Sequence, residues 1–150
     1  MPTTFHKLND GWNADPNAPY EAVTVDGREV QLEFRLNRFQ YPDVERGDVG
    51  RLTFSGCTKY RLGSENDEGW HYGQCRFSRL APAWGEFYEV EGDLLDDRVS
   101  DWFAVGPPDA ARRHRFLFYL KDNMFEVDAE AWRFERLNAP KGPFPQAQGR

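Results

Sequence analysis

The chain has 150 residues, 39% of them hydrophobic and 15% aromatic, enough for one buried core and too apolar for intrinsic disorder. Its formal net charge of -6 lacks the basic footprint that nucleic-acid binding needs, so a macromolecular partner is expected to be a protein, more readily a basic one. No apolar run approaches the ~20 residues of a membrane span, the first residues do not form a secretory signal, and two cysteines without a CxxC pair fit a reducing compartment; a cytoplasmic protein is expected.

Residues 1–20 hold many turn formers and neither hydrophobic period, and read as an irregular arm pinned by Phe5 and Trp12. From Glu21 apolar and polar residues alternate around Asp26-Gly27, which predicts a hairpin with those two residues as its turn. Val25 then lies opposite Arg28 and Val23 opposite Val30, with Val30, Leu32, Phe34 and Leu36 facing the core. After a loop over 38–48, a strand starts at Val49 and can continue through Tyr60 and Leu62.

The polar stretch Gly63 to Gly69 is read as a loop, with Trp70 to Phe77 returning as the partner strand. Centring that hairpin on Asn66 sets Leu62 opposite Trp70, Tyr60 opposite Tyr72 and Cys57 opposite Cys75. Trp84 to Val90 reads as a strand with Trp84, Glu86, Tyr88 and Val90 on one face and Phe87 and Glu89 on the other. Leu95, Val99, Trp102 and Phe103 fit one or two helical turns within 93–105, although Trp102 to Val105 also suits a short strand.

The basic run from Arg112 to Arg115 reads as a solvated loop or strand entry. A third hairpin follows, turning at Asp122-Asn123 and pairing Leu120 with Phe125, Phe118 with Val127 and Phe116 with Ala129. Trp132 and Phe134 extend the pattern as a last strand or short helix, and the Pro- and Gly-containing tail over 138–150 is expected to be mobile. The whole predicts a single domain over 1–137, all-β and mainly antiparallel. The fold class is a meander-type β-sandwich or β-barrel of about seven or eight strands with at most one or two short helices.

No phosphate loop, dinucleotide fingerprint or Gly-x-Ser-x-Gly elbow occurs, and His6, His71 and His114 are too scattered for a metal motif, so no metal and no cofactor are expected. Cys57 and Cys75 are expected to be small buried hydrophobes, with a reversible redox pair as the alternative. His71 lies too far along the predicted strand from either thiol to act as its base. Glu86, Glu89, Glu91, Glu126 and Asp128 are expected mainly on solvated faces.

Asp67, Glu68, Trp70, Tyr72 and Trp84 combine aromatic anchors with acidic charge, which points to a non-enzymatic binding protein that recognises a protein partner. A toxin-neutralising role suits its size and charge by analogy alone. The alternative is a small-molecule or carbohydrate-binding barrel, even an enzyme, using Glu86, Tyr88 and Tyr119 as polar groups of an aromatic pocket. A cavity above about 300 Å³ lined by those residues favours that alternative, and a filled interior counts against it.

Overall fold

The alternating stretches fold into two open antiparallel sheets that pack face to face. The computed structural model describes residues 2–63, 77, 83–92, 101–107 and 114–137. Its strands are β1 (Thr4–Lys7), β2 (Ala22–Asp26), β3 (Glu29–Arg35), β4 (Val49–Ser55), β5 (Lys59–Gly63), β6 (Phe87–Glu91), β7 (Phe103–Ala104), β8 (His114–Tyr119), β9 (Met124–Ala129) and β10 (Ala131–Leu137). One sheet has the order β1-β6-β8-β9-β5-β7 and the other β10-β4-β3-β2. The fold is therefore a β-sandwich, and among the described strands only β2-β3-β4 forms a meander.

Two of the three predicted hairpins form, each with its turn displaced by one residue. The turn of the one centred on Asn66 and its return strand up to Arg76 fall outside the described residues, and Tyr60 pairs with Val127 and Phe103 where Tyr72 was expected. In the first, Val25 pairs with Val30 and Asp26 with Glu29, leaving Gly27-Arg28 as the loop. Gly27 has φ +62°, as the first central position of a type II′ turn requires. In the last, Tyr119 pairs with Met124 and Phe118 with Phe125, Leu120 donates to the Asn123 carbonyl at 2.8 Å, and the turn falls on Lys121-Asp122. Each displacement moves the pairing by two residues, so the period-2 alternation keeps every side chain on its predicted face. Val30, Leu32, Phe34 and Leu36 are all at most 2% exposed.

The predicted run from Val49 through Leu62 is two strands in different sheets. Gly56, at φ +63°, turns the chain at the end of β4, and Cys57 N–H donates to the Arg28 carbonyl at 2.9 Å. β5 then joins β9 in the six-stranded sheet. β9 and β10, which pair with β5 and β4 respectively, make the same crossing at Glu130, whose N–H donates to the Ser55 carbonyl at 2.9 Å. Two neighbouring chains thus turn one corner together and tie the sheets along it.

Aromatic rings fill the space between the sheets. Phe54 of β4 meets Phe87, Phe116 and Phe125 of the opposite sheet with centroids 5.5–6.0 Å apart. The N-terminal arm is more ordered than predicted. Thr4–Lys7 pairs with β6 as an edge strand, and Trp12 inserts among Phe34, Phe87, Phe118 and Phe134. The other face of the six-stranded sheet is also buried, with Tyr88, Val90, Leu117, Tyr119 and Met124 at most 1% exposed.

Phe103–Ala104 is a strand, β7, and Trp132 and Phe134 lie on strand β10. The strand expected from Trp84 starts only at Phe87, because Trp84-Gly85 is a turn with Gly85 at φ +91°. The remainder of the 93–105 reading and the tail over 138–150 fall outside the described residues.

Candidate functional site

The turn that shortens β6 also creates a cleft. Trp84, Gly85 and Glu86 meet Tyr119, Leu120 and Lys121 from the end of β8 and its turn, while the arm contributes Asn13 to Pro16 and the loop after β3 contributes Asn37 and Gln40. The cleft has a volume of about 220 Å³. It opens at the rim of the sandwich and not inside a barrel, and it is smaller than the ~300 Å³ lower limit of pockets for drug-sized ligands. Three of the predicted residues, Trp84, Glu86 and Tyr119, are brought together there.

Glu86 is held by amides, where aromatic neighbours were expected. One carboxylate oxygen accepts from Asn9 Nδ2 at 2.5 Å and the other from Asn13 Nδ2 at 3.4 Å, and Lys7 Nζ lies 3.8 Å away. Asn9 Nδ2 also donates to the Trp12 carbonyl at 2.7 Å, and its Oδ1 accepts from Phe87 N–H at 3.1 Å. Gln40 Oε1 accepts from Asn13 Nδ2 at 3.0 Å. Asn13 Oδ1 is buried with no hydrogen-bond partner among the described residues, an arrangement that is costly unless something donates to it. Trp84 stacks on Tyr119 with centroids 4.6 Å apart.

Tyr88 belongs to the wall behind this cleft and does not line it. Its hydroxyl donates to the Ala83 carbonyl at 3.1 Å. Burial above all, with the charge of Glu86 added, pushes its phenol up to about 12. A proton held that firmly is poorly suited to acid-base chemistry near neutrality.

The other predicted residues separate. Cys57 is buried in the inter-sheet core, its thiol donating to the Phe54 carbonyl at 3.3 Å. Asp67, Glu68, Trp70, His71, Tyr72 and Cys75 lie outside the described residues. His114 Nδ1 is 2.7 Å from Glu89 and His6 Nε2 3.9 Å from Glu91. Among the described residues no three histidine, cysteine or acidic side chains gather into a metal site, and no helix is long and apolar enough to cross a membrane.

The expectation of solvated carboxylates fails for Glu126, which is fully buried between Arg61 Nη1 at 3.1 Å and Arg115 Nη1 at 3.3 Å. Arg61 also reaches Asp101 through two nitrogens, at 2.8 and 3.2 Å, and Arg115 holds Asp128 the same way. Arg115 is therefore a buried strand residue, not part of a solvated loop. Cross-strand register explains the cluster, since β9 sets Glu126 opposite Arg61 and Asp128 opposite Arg115. Each carboxylate here is occupied by guanidinium, so the group is structural and not a hydrolytic pair.

Asn13, Asn37 and Gln40 were not singled out from the sequence. They sit in segments without periodicity, and Asn13 is 73 positions from the Glu86 it bonds. Comparison with protein-family models, with curated proteins and with solved structures finds no match for this chain.

Proposed function

We propose that the protein is a non-enzymatic binding domain whose rim cleft takes one polar ring, of the saccharide class, from a small or chain-like ligand. The observation that carries this reading is the pairing of an aromatic platform with a carboxylate at the same cleft. Trp84, backed by Tyr119, offers a flat apolar surface, while the partly exposed Glu86 carboxylate has lone pairs left to accept further hydrogen bonds. A sugar ring presents hydroxyl donors at its edge and an apolar C–H face, which matches both features. With about 220 Å³ the cleft suits a single ring, the rest of a longer ligand lying outside.

Recognition of a protein partner through Asp67, Glu68, Trp70, Tyr72 and Trp84 remains a proposal carried by the sequence pattern.

The test is ligand-observed NMR against a panel of mono- and disaccharides, using the full chain and its Trp84→Ala and Glu86→Gln variants. Binding that weakens in both variants while the fold is retained supports the reading. A panel without any response, or a response indifferent to both substitutions, removes it.

A further inference from the structure

A second cleft, of about 260 Å³, lies on the other side of the Asp15 turn and is lined by Tyr20, Arg35, Arg38, Phe39 and Arg46 among others. Four of the six arginines described elsewhere in the fold are held by carboxylates. Arg51 meets Glu33 and Glu135, Arg61 meets Asp101 and Glu126, Arg115 meets Glu126 and Asp128, and Arg136 meets Asp43 and Asp48. Arg35, Arg38 and Arg46 have no carboxylate within 4 Å among the described residues, although the chain carries 25 acidic residues. The one carboxylate lining the cleft, Asp15, accepts from the backbone N–H groups of Asn17 and Ala18 at 2.8 and 3.0 Å.

Two of these guanidiniums are laid against aromatic rings. Arg35 Cζ lies 5.0 Å from the Tyr20 centroid and Arg38 Cζ 4.5 Å from that of Phe39. Both rings are nevertheless open to solvent, Tyr20 at 69% and Phe39 at 60% exposure, where large hydrophobic residues are generally covered. Tyr20 also has φ +47°, a conformation that costs a bulky residue energy, and Pro19 is fixed beside it by the hydrogen bond from Arg35 N–H to its carbonyl.

We infer that this cleft binds a small phosphomonoester carrying a planar ring, the chemistry of a nucleoside monophosphate. Planar guanidinium forks match phosphate oxygens in pairs of hydrogen bonds, and the exposed faces of Tyr20 and Phe39 give a heteroaromatic ring a stacking surface. A polynucleotide is disfavoured, because a chain of net charge -6 repels an extended polyanion outside this one patch. The inference is independent of the saccharide reading, which concerns different side chains and a different ligand.

Isothermal titration of the full chain at low salt tests it, with adenosine monophosphate, adenosine and inorganic phosphate as probes. The monophosphate is expected to bind at least about tenfold more tightly than either part alone. Arg38→Ala and Arg46→Ala each weaken it about tenfold, and Phe39→Ala weakens the monophosphate but not inorganic phosphate. Arg133→Ala, at an exposed arginine of β10 with no carboxylate within 4 Å among the described residues, matches the charge change and leaves binding unaltered. Absence of monophosphate binding overturns the inference, as does equal affinity for inorganic phosphate or an equal loss in the Arg133 variant.

Discussion

Trp12 lies flat against Phe134, with ring planes 1° apart and centroids 3.9 Å apart. The same indole touches Phe34 of the four-stranded sheet and Phe87 and Phe118 of the six-stranded sheet. It therefore closes one end of the sandwich, and through its carbonyl it fixes Asn9, which in turn holds Glu86. Trp12→Ala is expected to lower stability by about 3–5 kcal/mol, the usual cost of emptying a tryptophan site. Urea unfolding measures it. A loss under about 1 kcal/mol, within the range of ordinary surface changes, would mean that the arm is not part of the core.

Much of this packing was legible in the sequence, and the reason is the strand period. Alternation alone placed Val30, Leu32 and Phe34 inward and put Phe116, Phe118 and Phe125 on one shared face, and a two-residue error in pairing could not alter that. The corner at Gly56 was not legible, because a strand that changes sheets keeps its alternation while its partners change. The cleft was only half visible. Trp84, Glu86 and Tyr119 stood out as aromatic or acidic residues near strands, whereas Asn13 and Gln40 come from arm and loop segments that no periodicity describes. Burial of Glu126 was hidden for a related reason: an isolated acidic residue on a strand reads as solvent-facing until register sets two arginines beside it.

Gly50 lies in β4 opposite Phe34 and Arg136, where a β-carbon would stand 2.8 Å from the Phe134 ring, 2.9 Å from the Phe34 ring and 3.0 Å from Leu36 Cδ2. The rings occupy the space a side chain would take. Gly50→Ala, commonly favourable within a strand, is here expected to destabilise by about 1–3 kcal/mol through overpacking. Because Phe134 must shift and Trp12 is stacked on it, tryptophan fluorescence should change as well. Equal or higher stability of the variant would show that the rings yield without cost.

Removing the Glu126 carboxylate leaves Arg61 and Arg115, 8% and 4% exposed, without the group that lies between them. Glu126→Leu is expected to lose about 3–5 kcal/mol, the usual cost of breaking a buried ion pair from one side. Glu126→Gln, which retains an acceptor, should lose less. Denaturant midpoints of the two variants check the order. If leucine costs no more than glutamine, the acceptor oxygens of Glu126 contribute nothing beyond its charge, and unchanged midpoints in both variants would show that the charge contributes nothing either.

Tyr88 gives the fold a sensitivity to alkali. Burial, and then the Glu86 charge, raise its phenol from the ordinary 10 to about 12. Between those values the unfolded chain has released the proton while the folded chain still holds it. The folded state binds more protons there, so stability is fully present below pH 10 and falls as the pH rises towards 12. Two units correspond to a loss on the order of 3 kcal/mol. Tyr88→Phe gives up the bond to Ala83 and starts less stable at neutral pH. It lacks the titrating group, however, so its stability should fall less steeply through the same window than that of the unsubstituted chain, whose other tyrosines and lysines titrate in both proteins. Urea unfolding at closely spaced pH values separates the two slopes, and parallel curves would show that the Tyr88 phenol ionises as readily folded as unfolded.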